Sequence, residues 1–283
     1  MATMITSRSE SVLHYLNPIA MARNFWHHRD LIRQFTRREI EGRYKGSFLG
    51  LFWSFINPLV MLAIYTFVFG IVFQARWSTT ATGGLSEFAL ILFCGLTAFN
   101  VFGECVGRAA IIIVGVPNYV KKVVFPLEIL AVSVLGAALF HSLVSLAILL
   151  VANLLITGTF QWTLLLLPVV ALPLVFLSLG LMWFLASLGV FIRDIGYSVA
   201  LVVQVLFFLT PIFYKLENIP EPLQTFIRFN PLTSIVENVR RVVLWGWMPS
   251  WTGFALWLML TSTVMILGYA WFMKTKKAFA DVL

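Results

Sequence analysis

Residues 129–192 read ILAVSVLGAALFHSLVSLAILLVANLLITGTFQWTLLLLPVVALPLVFLSLGLMWFLASLGVFI, a stretch of 64 residues without Asp, Glu, Lys or Arg. A transmembrane helix needs about 20 apolar residues to cross the roughly 30 Å hydrocarbon core of a bilayer. The stretch is therefore long enough for two crossings. The turn residues ITGTFQW at 156–162 divide it. The sequence thus predicts two consecutive transmembrane helices here.

The rest of the chain contains four further windows without charged residues. They cover residues 49–73, 88–103, 195–214 and 250–273, and the second is short because Glu104 interrupts it. Hydrophobic residues make up 60% of the 283 residues and charged residues only 11%, which excludes an ordinary soluble domain. We therefore expect an all-α integral membrane protein with six transmembrane helices.

The region before the first window is rich in charge. Residues 1–48 contain no compact apolar core followed by a small-residue cleavage site, so no removable signal peptide is expected. We interpret 1–48 as a cytoplasmic, amphipathic segment at the membrane interface and 49–283 as the six-helix transmembrane domain. We expect Cys94 and Cys105 to be packing residues rather than a disulfide, and the sequence has no metal-ligand spacing.

The distribution of basic residues predicts the orientation of the chain. With six crossings both termini lie on one side, and that side holds 15 of the 20 Lys and Arg residues. The other side holds five, including Arg76. Because basic residues are enriched in cytoplasmic loops, we expect both termini in the cytoplasm. Contact with anionic lipid explains the net charge of +8 without a nucleic-acid partner.

Residues 215–249 would face outward, yet they are too apolar for a solvated loop. Apolar residues recur there with helical spacing, at Leu232, Ile235, Val236, Val239, Val242 and Val243. The pattern predicts a helix with one apolar stripe and an opposite polar face. That polar face contains Glu237, Asn238, Arg240 and Arg241.

A shorter helix is predicted just before it. Pro220 and Pro222 suit a first helical turn, and Asn230-Pro231 marks the turn between the two helices. We interpret the pair as interfacial or re-entrant helices between the fifth and sixth crossings. A plain interfacial hairpin and a gate over a pore are both compatible with this pattern.

Residues with catalytic chemistry are scarce. His141 has no acidic neighbour in sequence, which is more typical of a histidine bonded to a backbone carbonyl than of a proton relay. Glu128 follows Phe125-Pro126, which favours a helix cap over a catalyst. No G-x-x-x-x-G-K-[ST] pattern occurs, so we expect no enzyme activity and no cofactor in this chain. If the protein transports a substrate, another polypeptide is expected to supply the energy.

Four segments follow one another along the chain: REIEGRYKGSFLGLFWSFINPL at 38–59, PNYVKKVVFPLEIL at 117–130, FIRDIGY at 191–197, and TPIFY at 210–214 followed by FNPLTSIVENVRR at 229–241. In this order they resemble ABC-2 type transport permeases that export polysaccharides. The resemblance implies a homodimer joined to two copies of a separate ATPase chain, which binds ATP and Mg²⁺. It further implies export of a lipid-linked polysaccharide, O-antigen first, across the bacterial inner membrane.

Other substrates are compatible with the same resemblance. Capsule or teichoic acid exporters share the architecture, and a small-molecule ABC-2 exporter would lack an aromatic lining. A membrane enzyme acting on lipid-linked sugars is the alternative from a different class.

The resemblance also assigns roles to aromatic residues. A polysaccharide channel benefits from aromatic side chains on which sugar rings stack, and the first and fifth helices face the channel in the family. The candidates are Trp53, Tyr65, Phe69, Phe207, Phe208 and Tyr214. Core packing and interfacial belts are the alternative explanation for these aromatics.

Charged and turn residues complete the candidate sites. A pyrophosphate-linked lipid needs cations at the cytoplasmic interface, and the candidates are Arg37, Arg38, Arg43 and Lys45, with plain lipid contact as the alternative. The ATPase contacts are expected at Asn118, Lys121, Lys122, Arg193 and Asp194, of which the last two could instead form a helix cap. The helix pair that covers the outer exit in the family contributes Pro220, Asn230, Pro231, Arg240 and Arg241.

Bends are predicted around the first crossing. Gly42, Gly46 and Gly50 are the candidate bends before it. Asn57-Pro58 predicts a kink within it, because proline removes one backbone hydrogen bond and crowds the preceding turn.

Overall fold

The computed structural model describes residues 15–74, 84–121 and 125–283, and within these ranges every regular element is a helix. Five stretches are long and apolar enough to cross a membrane: Gly50–Val72, Leu85–Ala109, Ile129–Thr157, Trp162–Phe191 and Trp251–Val282. A further apolar helix, Ile195–Leu209, has 15 residues. The all-α, multi-pass architecture is confirmed, whereas the count of six crossings stays a prediction. Arg76 and Lys122 lie outside the described residues.

The described α-helices are numbered in chain order. They are α1 (Pro18–His27), α2 (Arg29–Tyr44), α3 (Trp53–Tyr65), α4 (Leu85–Ala109), α5 (Pro117–Lys121), α6 (Ile129–Thr157), α7 (Leu167–Val170), α8 (Leu172–Phe191), α9 (Ile195–Leu209), α10 (Glu221–Arg228), α11 (Pro231–Arg240), α12 (Trp251–Thr275) and α13 (Phe279–Val282). Short 3₁₀ and π-helical turns extend several of them, including the π-helices Thr66–Val72 after α3 and Arg241–Trp245 after α11.

The long uncharged stretch divides where the sequence predicts. Helix α6 ends at Thr157, and Gly158 follows in the left-handed conformation at φ +67°, donating its N–H to the carbonyl of Leu154. The next helical turn begins at Trp162. Glu104 interrupts the uncharged window 88–103 but not the helix, because α4 continues through it to Ala109.

Helix α4 is the centre of the bundle. In its most apolar stretch of 18 residues, 78% is buried inside the chain. The helix packs against α6, α8, α9 and α11. In the corresponding stretch of Gly50–Val72, 0% is buried, so this crossing lies at the edge of the bundle. Cys94 and Cys105 are buried free thiols on α4, as expected for packing residues.

Helices α8 and α12 share the most extensive contact between described helices. A Cβ atom at Gly268 would collide with the backbone carbonyl of Gly180, and one at Gly180 would lie 2.6 Å from the backbone of Val264. Small residues at such crossings let two backbones touch, which is the main source of helix association inside a membrane.

The N-terminal helix and the C-terminal tail meet at one face of the bundle. The carboxylate of Glu128, only 3% exposed, accepts from Lys276 Nζ at 2.6 Å and from Asn24 Nδ2 at 3.1 Å. Glu128 is at the N-cap position of α6, as predicted, although its side chain makes no capping hydrogen bond. Its charge is instead neutralised by the tail. We call this face the N-terminal face.

The bends before the first crossing fall at two of the three predicted glycines. Gly46 and Gly50 have φ values of +86° and +49°, which glycine adopts most readily. The prediction is wrong for Gly42, which lies inside α2. Pro58 lies inside α3.

The predicted helix pair is present as α10 and α11. Pro220 and Asn230 precede the two helices, and the Asn230 carboxamide accepts from the backbone N–H of Leu232 at 3.0 Å. The predicted apolar stripe is buried throughout. The predicted polar face is wrong for two members, because Arg240 is 1% and Asn238 3% exposed. Both side chains turn inward to bind backbone groups of neighbouring segments.

Candidate functional site

A cavity of about 540 Å³ lies between α3, α4 and α6. Arg43 and Tyr44 of α2 and Arg108 of α4 line it. Most of its other polar side chains come from three helices: Ser54 and Asn57 of α3, Thr97, Asn100 and Glu104 of α4, and His141, Ser142 and Ser145 of α6. On α4 the spacing is i, i+3 and i+7, which places the three side chains on one helical face. Polar groups at this density inside membrane-spanning helices are expensive unless they serve one another or a ligand.

The charged part of the cavity is a cluster of Arg43, Glu104 and His141. A carboxylate oxygen of Glu104 lies 2.7 Å from Arg43 Nη1 and 3.3 Å from His141 Nδ1. The side chains of Glu104 and His141 are each 15% exposed. The cluster ties α2, α4 and α6 together, and the arginine offsets the free energy of burying the carboxylate.

The expectation for His141 is therefore wrong. Its ring nitrogen Nδ1 contacts the carboxylate of Glu104 and the guanidinium of Arg43, because α2, α4 and α6 are neighbours in space. Within the described part of the chain, His141 Nε2 is buried and makes no hydrogen bond. The ring thus presents one unused polar atom at the cavity.

A second ion pair anchors α2 to α4. Arg108 Nη2 lies 2.6 Å from a carboxylate oxygen of Glu39. Burial raises the pKa of the neighbouring Tyr44 hydroxyl, and the nearby Arg43 charge opposes that shift. The ion pairs of Arg43 with Glu104 and of Glu39 with Arg108 thus hold the C-terminal half of α2 against α4.

The four predicted headgroup cations are in different environments. Arg37 pairs with Glu41 at 2.6 Å on the surface of α2, whereas Arg38 donates to the Tyr119 hydroxyl at 3.1 Å. Arg43 pairs with Glu104 although its own side chain is 46% exposed, and Lys45 is exposed. The structure therefore brings one of the four, Arg43, into the cavity.

Most of the predicted channel aromatics form one cluster. Tyr65, Phe69, Phe207 and Phe208 surround Phe213, and the rings of Phe69 and Phe213 stack with centroids 4.4 Å apart. Trp53, Tyr65 and Phe207 also line the cavity. The Tyr214 hydroxyl donates to the backbone carbonyls at the end of α9 instead. The cluster serves packing, and three of the six predicted rings reach the polar cavity.

Similarity to known proteins points in the same direction as the fold. The sequence profile described as ABC-2 type transporter matches residues 30–244. The chain belongs to the ABC-2 type transporter family. It is 29% identical over 226 residues to the O-antigen export system permease protein RfbA of Myxococcus xanthus, covering 79% of this chain and 84% of that one.

Two further relatives of this ABC-2 family chain have related names. An O-antigen export system permease protein RfbA of Klebsiella pneumoniae is 27% identical over 259 residues, covering 90% of this chain and 95% of the relative. The polysialic acid transport protein KpsM of Escherichia coli is 23% identical over 248 residues, covering 85% and 92%.

The described segments of this ABC-2 protein that carry the predicted ATPase contacts both reach the C-terminal tail. Asn118 and Lys121 are exposed on α5, which contacts α13 of the C-terminal tail. Helix α13 also contacts α8. Arg193 and Asp194 follow the end of α8. Asp194 is at the N-cap position of α9, as the alternative predicts, although its side chain makes no capping hydrogen bond in the described structure. Arg38 reaches α5 through Tyr119, which links α2 to the same surface.

Arg240 has a different environment from the one expected for a gate residue. Its guanidinium donates to the backbone carbonyls of Ile91, Pro211 and Ile212 at 3.2, 2.8 and 3.0 Å. A Cβ atom at Gly95 would lie 2.6 Å from this guanidinium, so glycine leaves the space that the arginine fills. Asn230 donates to the Thr210 hydroxyl at 3.1 Å, and together these bonds hold the segment after α9.

Sequence reasoning missed the polar residues of α4 and α6. Thr97, Asn100 and Glu104 repeat at helical spacing inside an otherwise apolar segment, and His141 and Ser145 do the same on α6. That periodicity was a usable signal for a polar cavity within the membrane helices of this ABC-2 transporter. Their mutual contacts across helices had no local signal.

Proposed function

We propose that this chain is the membrane subunit of an ABC exporter that moves a lipid-linked polysaccharide across the bacterial inner membrane. O-antigen is the first candidate substrate, because relatives that match most of the chain are named O-antigen export permeases. The observation that carries the proposal is the cavity at the N-terminal face, which combines the cation Arg43 with the aromatic rings of Trp53, Tyr65 and Phe207.

This combination suits the two chemical parts of the substrate. Arginine binds phosphate oxygens through two parallel N–H donors, which favours a pyrophosphate headgroup. Aromatic rings stack on the apolar faces of sugars and let them slide, because no single hydrogen bond holds each ring. Exposed Lys45, and Arg37 and Arg38 on α2, would attract the headgroup to the cavity mouth.

The chain would act as a homodimer with two copies of a separate ATPase, which binds ATP and Mg²⁺. The unburied span Gly50–Val72 supports the dimer, since a second copy would cover it. The surface of α5 and the Arg193-Asp194 turn would receive the ATPase. Both termini would then lie in the cytoplasm, in agreement with the excess of basic residues on that side.

Capsule export is the second candidate. The relative named polysialic acid transport protein covers 85% of this chain, although at a lower identity than the O-antigen permeases. The two functions share the membrane mechanism and differ in the sugar.

Export by variants in a strain lacking the gene tests the proposal. We expect the wild-type gene to restore surface polysaccharide and Arg43→Ala with Lys45→Ala to lower it about tenfold or more, because a charge-assisted contact to phosphate is lost. Dimer assembly should persist, as measured by copurification of two differently tagged copies. Arg228→Ala is the matched control, since that arginine is exposed on α10.

Two results would overturn the proposal. One is a deletion strain with unchanged surface polysaccharide. The other is a wild-type chain that never copurifies with an ATPase. Normal export by the Arg43 and Lys45 double variant would remove only the headgroup role.

A further inference from the structure

A second polar pocket lies at the far end of α4 from the Arg43–Glu104–His141 cluster. It encloses about 470 Å³ between the first turn of α4, the segment after α9 and the π-helix that continues α11. Glu87 lines this pocket, and at a rise of 1.5 Å per residue it lies about 30 Å along α4 from Arg108. The pocket therefore belongs to the opposite face of the bundle.

Two indole rings form one wall of the pocket. The ring centroids of Trp245 and Trp247 are 5.3 Å apart and their planes meet at 43°. Gly246 between them is left-handed at φ +67°, and the backbone N–H of Trp247 donates to the backbone carbonyl of Arg241 at 2.9 Å. The left-handed backbone at Gly246 favours glycine, and the end of the Gln161 side chain lies close to this turn. Trp247 is 58% exposed, which leaves a face of its indole accessible.

The charged residues of the lining supply both hydrogen-bond donors, on the cations, and hydrogen-bond acceptors, on the carboxylates. The pocket contains three carboxylates and three cations, namely Glu87, Glu217, Glu237, Lys215, Arg240 and Arg241. Arg240 is engaged with backbone carbonyls. Lys215 and Arg241 remain as donors beside the three carboxylates, which are acceptors. A lining that contains both suits hydroxyl groups, which donate and accept hydrogen bonds.

One donor in the pocket is not served by the protein itself. The buried Nε of Arg241 makes no hydrogen bond within the described residues, and its nearest carboxylate oxygen, on Glu237, is 3.8 Å away. Burial raises the pKa of Glu237, against the opposing charges of Arg240 and Arg241. A hydroxyl placed between Arg241 and Glu237 would accept from one and donate to the other.

We propose that this pocket binds a hydroxyl-rich sugar ring, with the indole of Trp247 against its apolar face and Glu237 and Arg241 bonded to its hydroxyls. The site rests on the proposed function, since a polysaccharide exporter brings sugars to this face as the chain leaves the membrane. It gives the transporter a second sugar contact, separate from the cavity at the N-terminal face.

Saturation-transfer difference NMR on the full-length chain in nanodiscs tests the site. The probes are the methyl pyranosides of glucose, galactose, mannose and N-acetylglucosamine. We expect transfer to at least one probe, with a signal about fivefold or more weaker in Trp247→Ala and only partly reduced in Trp247→Phe, which retains stacking. Glu237→Gln should weaken the same probe. The matched control is Trp162→Ala, because Trp162 is 60% exposed and does not line the pocket.

The outcomes separate this site from the proposed function. Equal signals in wild type and Trp247→Ala would overturn the site, as would an equal loss in Trp162→Ala or no transfer to any probe. A chain that binds a sugar through Trp247 but fails the export test would retain the site and refute polysaccharide export. Normal export by the wild-type chain without sugar binding through Trp247 would refute the site and retain polysaccharide export.

Discussion

At the scale of single residues, Arg240 stabilises the fold by donating hydrogen bonds to backbone carbonyls of other segments. The chain leaves helical geometry at Thr210, so the carbonyls of Pro211 and Ile212 lack the intrahelical N–H partners that a continuing helix would supply. The guanidinium of Arg240 supplies those donors and also reaches Ile91 of α4. A side chain expected on a polar surface is thus a buried brace between α4, the segment after α9 and α11.

Arg240→Met should destabilise the folded protein by about 3 kcal/mol, because each buried carbonyl left without a donor costs about 1–3 kcal/mol and some will rebind. Unfolding of the purified chain in detergent, followed by intrinsic fluorescence, measures the change. The control is Arg228→Met on exposed α10, which should change stability by less than about 0.5 kcal/mol. Equal stability of the two variants would show that the three carbonyls find other partners.

At the scale of helices, packing inside this bundle depends on small residues. Gly180 and Gly268 let α8 and α12 approach until their backbones touch. Because lipid tails are as apolar as leucine, close packing rather than hydrophobic burial holds such a pair together.

Gly268→Ala should destabilise the protein by about 1–3 kcal/mol, since the added methyl group would meet the backbone of Gly180 and force the helices apart. Gly107→Ala on α4 is the matched control, because a Cβ there has no atom within 4 Å. It should be neutral or stabilising by up to about 1 kcal/mol, as alanine favours a helix more than glycine does. Thermal unfolding of both variants in one detergent compares them. A Gly268→Ala variant as stable as the Gly107→Ala variant would contradict the close contact.

At the scale of the whole molecule, the span Gly50–Val72 is the least covered part of the bundle. Several large apolar side chains on α3 are exposed, among them Leu59, Val60 and Met61. These side chains are suited to lipid or to another protein, and the proposed homodimer assigns them to a second copy.

A cysteine at Met61 should therefore cross-link two copies in native membranes, because that side chain is 43% exposed on the proposed dimer face. The native Cys94 and Cys105 are buried and should not react. A cysteine at Leu256, 56% exposed on α12, is the control and should give monomer only. Non-reducing gels after mild oxidation separate the two. Cross-linking at Leu256 but not at Met61 would place the dimer interface elsewhere.

The five long apolar spans, the division near Gly158 and the buried stripe of α11 could be predicted from the sequence. They follow from apolar length, turn residues and helical period, which are properties of neighbouring residues. The aromatic cluster was anticipated only in part, because Phe213 at its centre lies in the irregular segment after α9. For His141 and Glu128 the sequence suggested partners close in the chain, and both residues bind distant ones.

The sequence by itself determined an all-α membrane protein with a basic N-terminal segment and a helix pair between its last two apolar helices. Only the tertiary structure decided that Glu104 meets His141 across 37 residues and that Glu128 meets Lys276 across 148. It also decided that Arg240 turns inward. The physical reason is that a buried charge takes its partners from whichever helices become neighbours, and local periodicity carries no information about that choice.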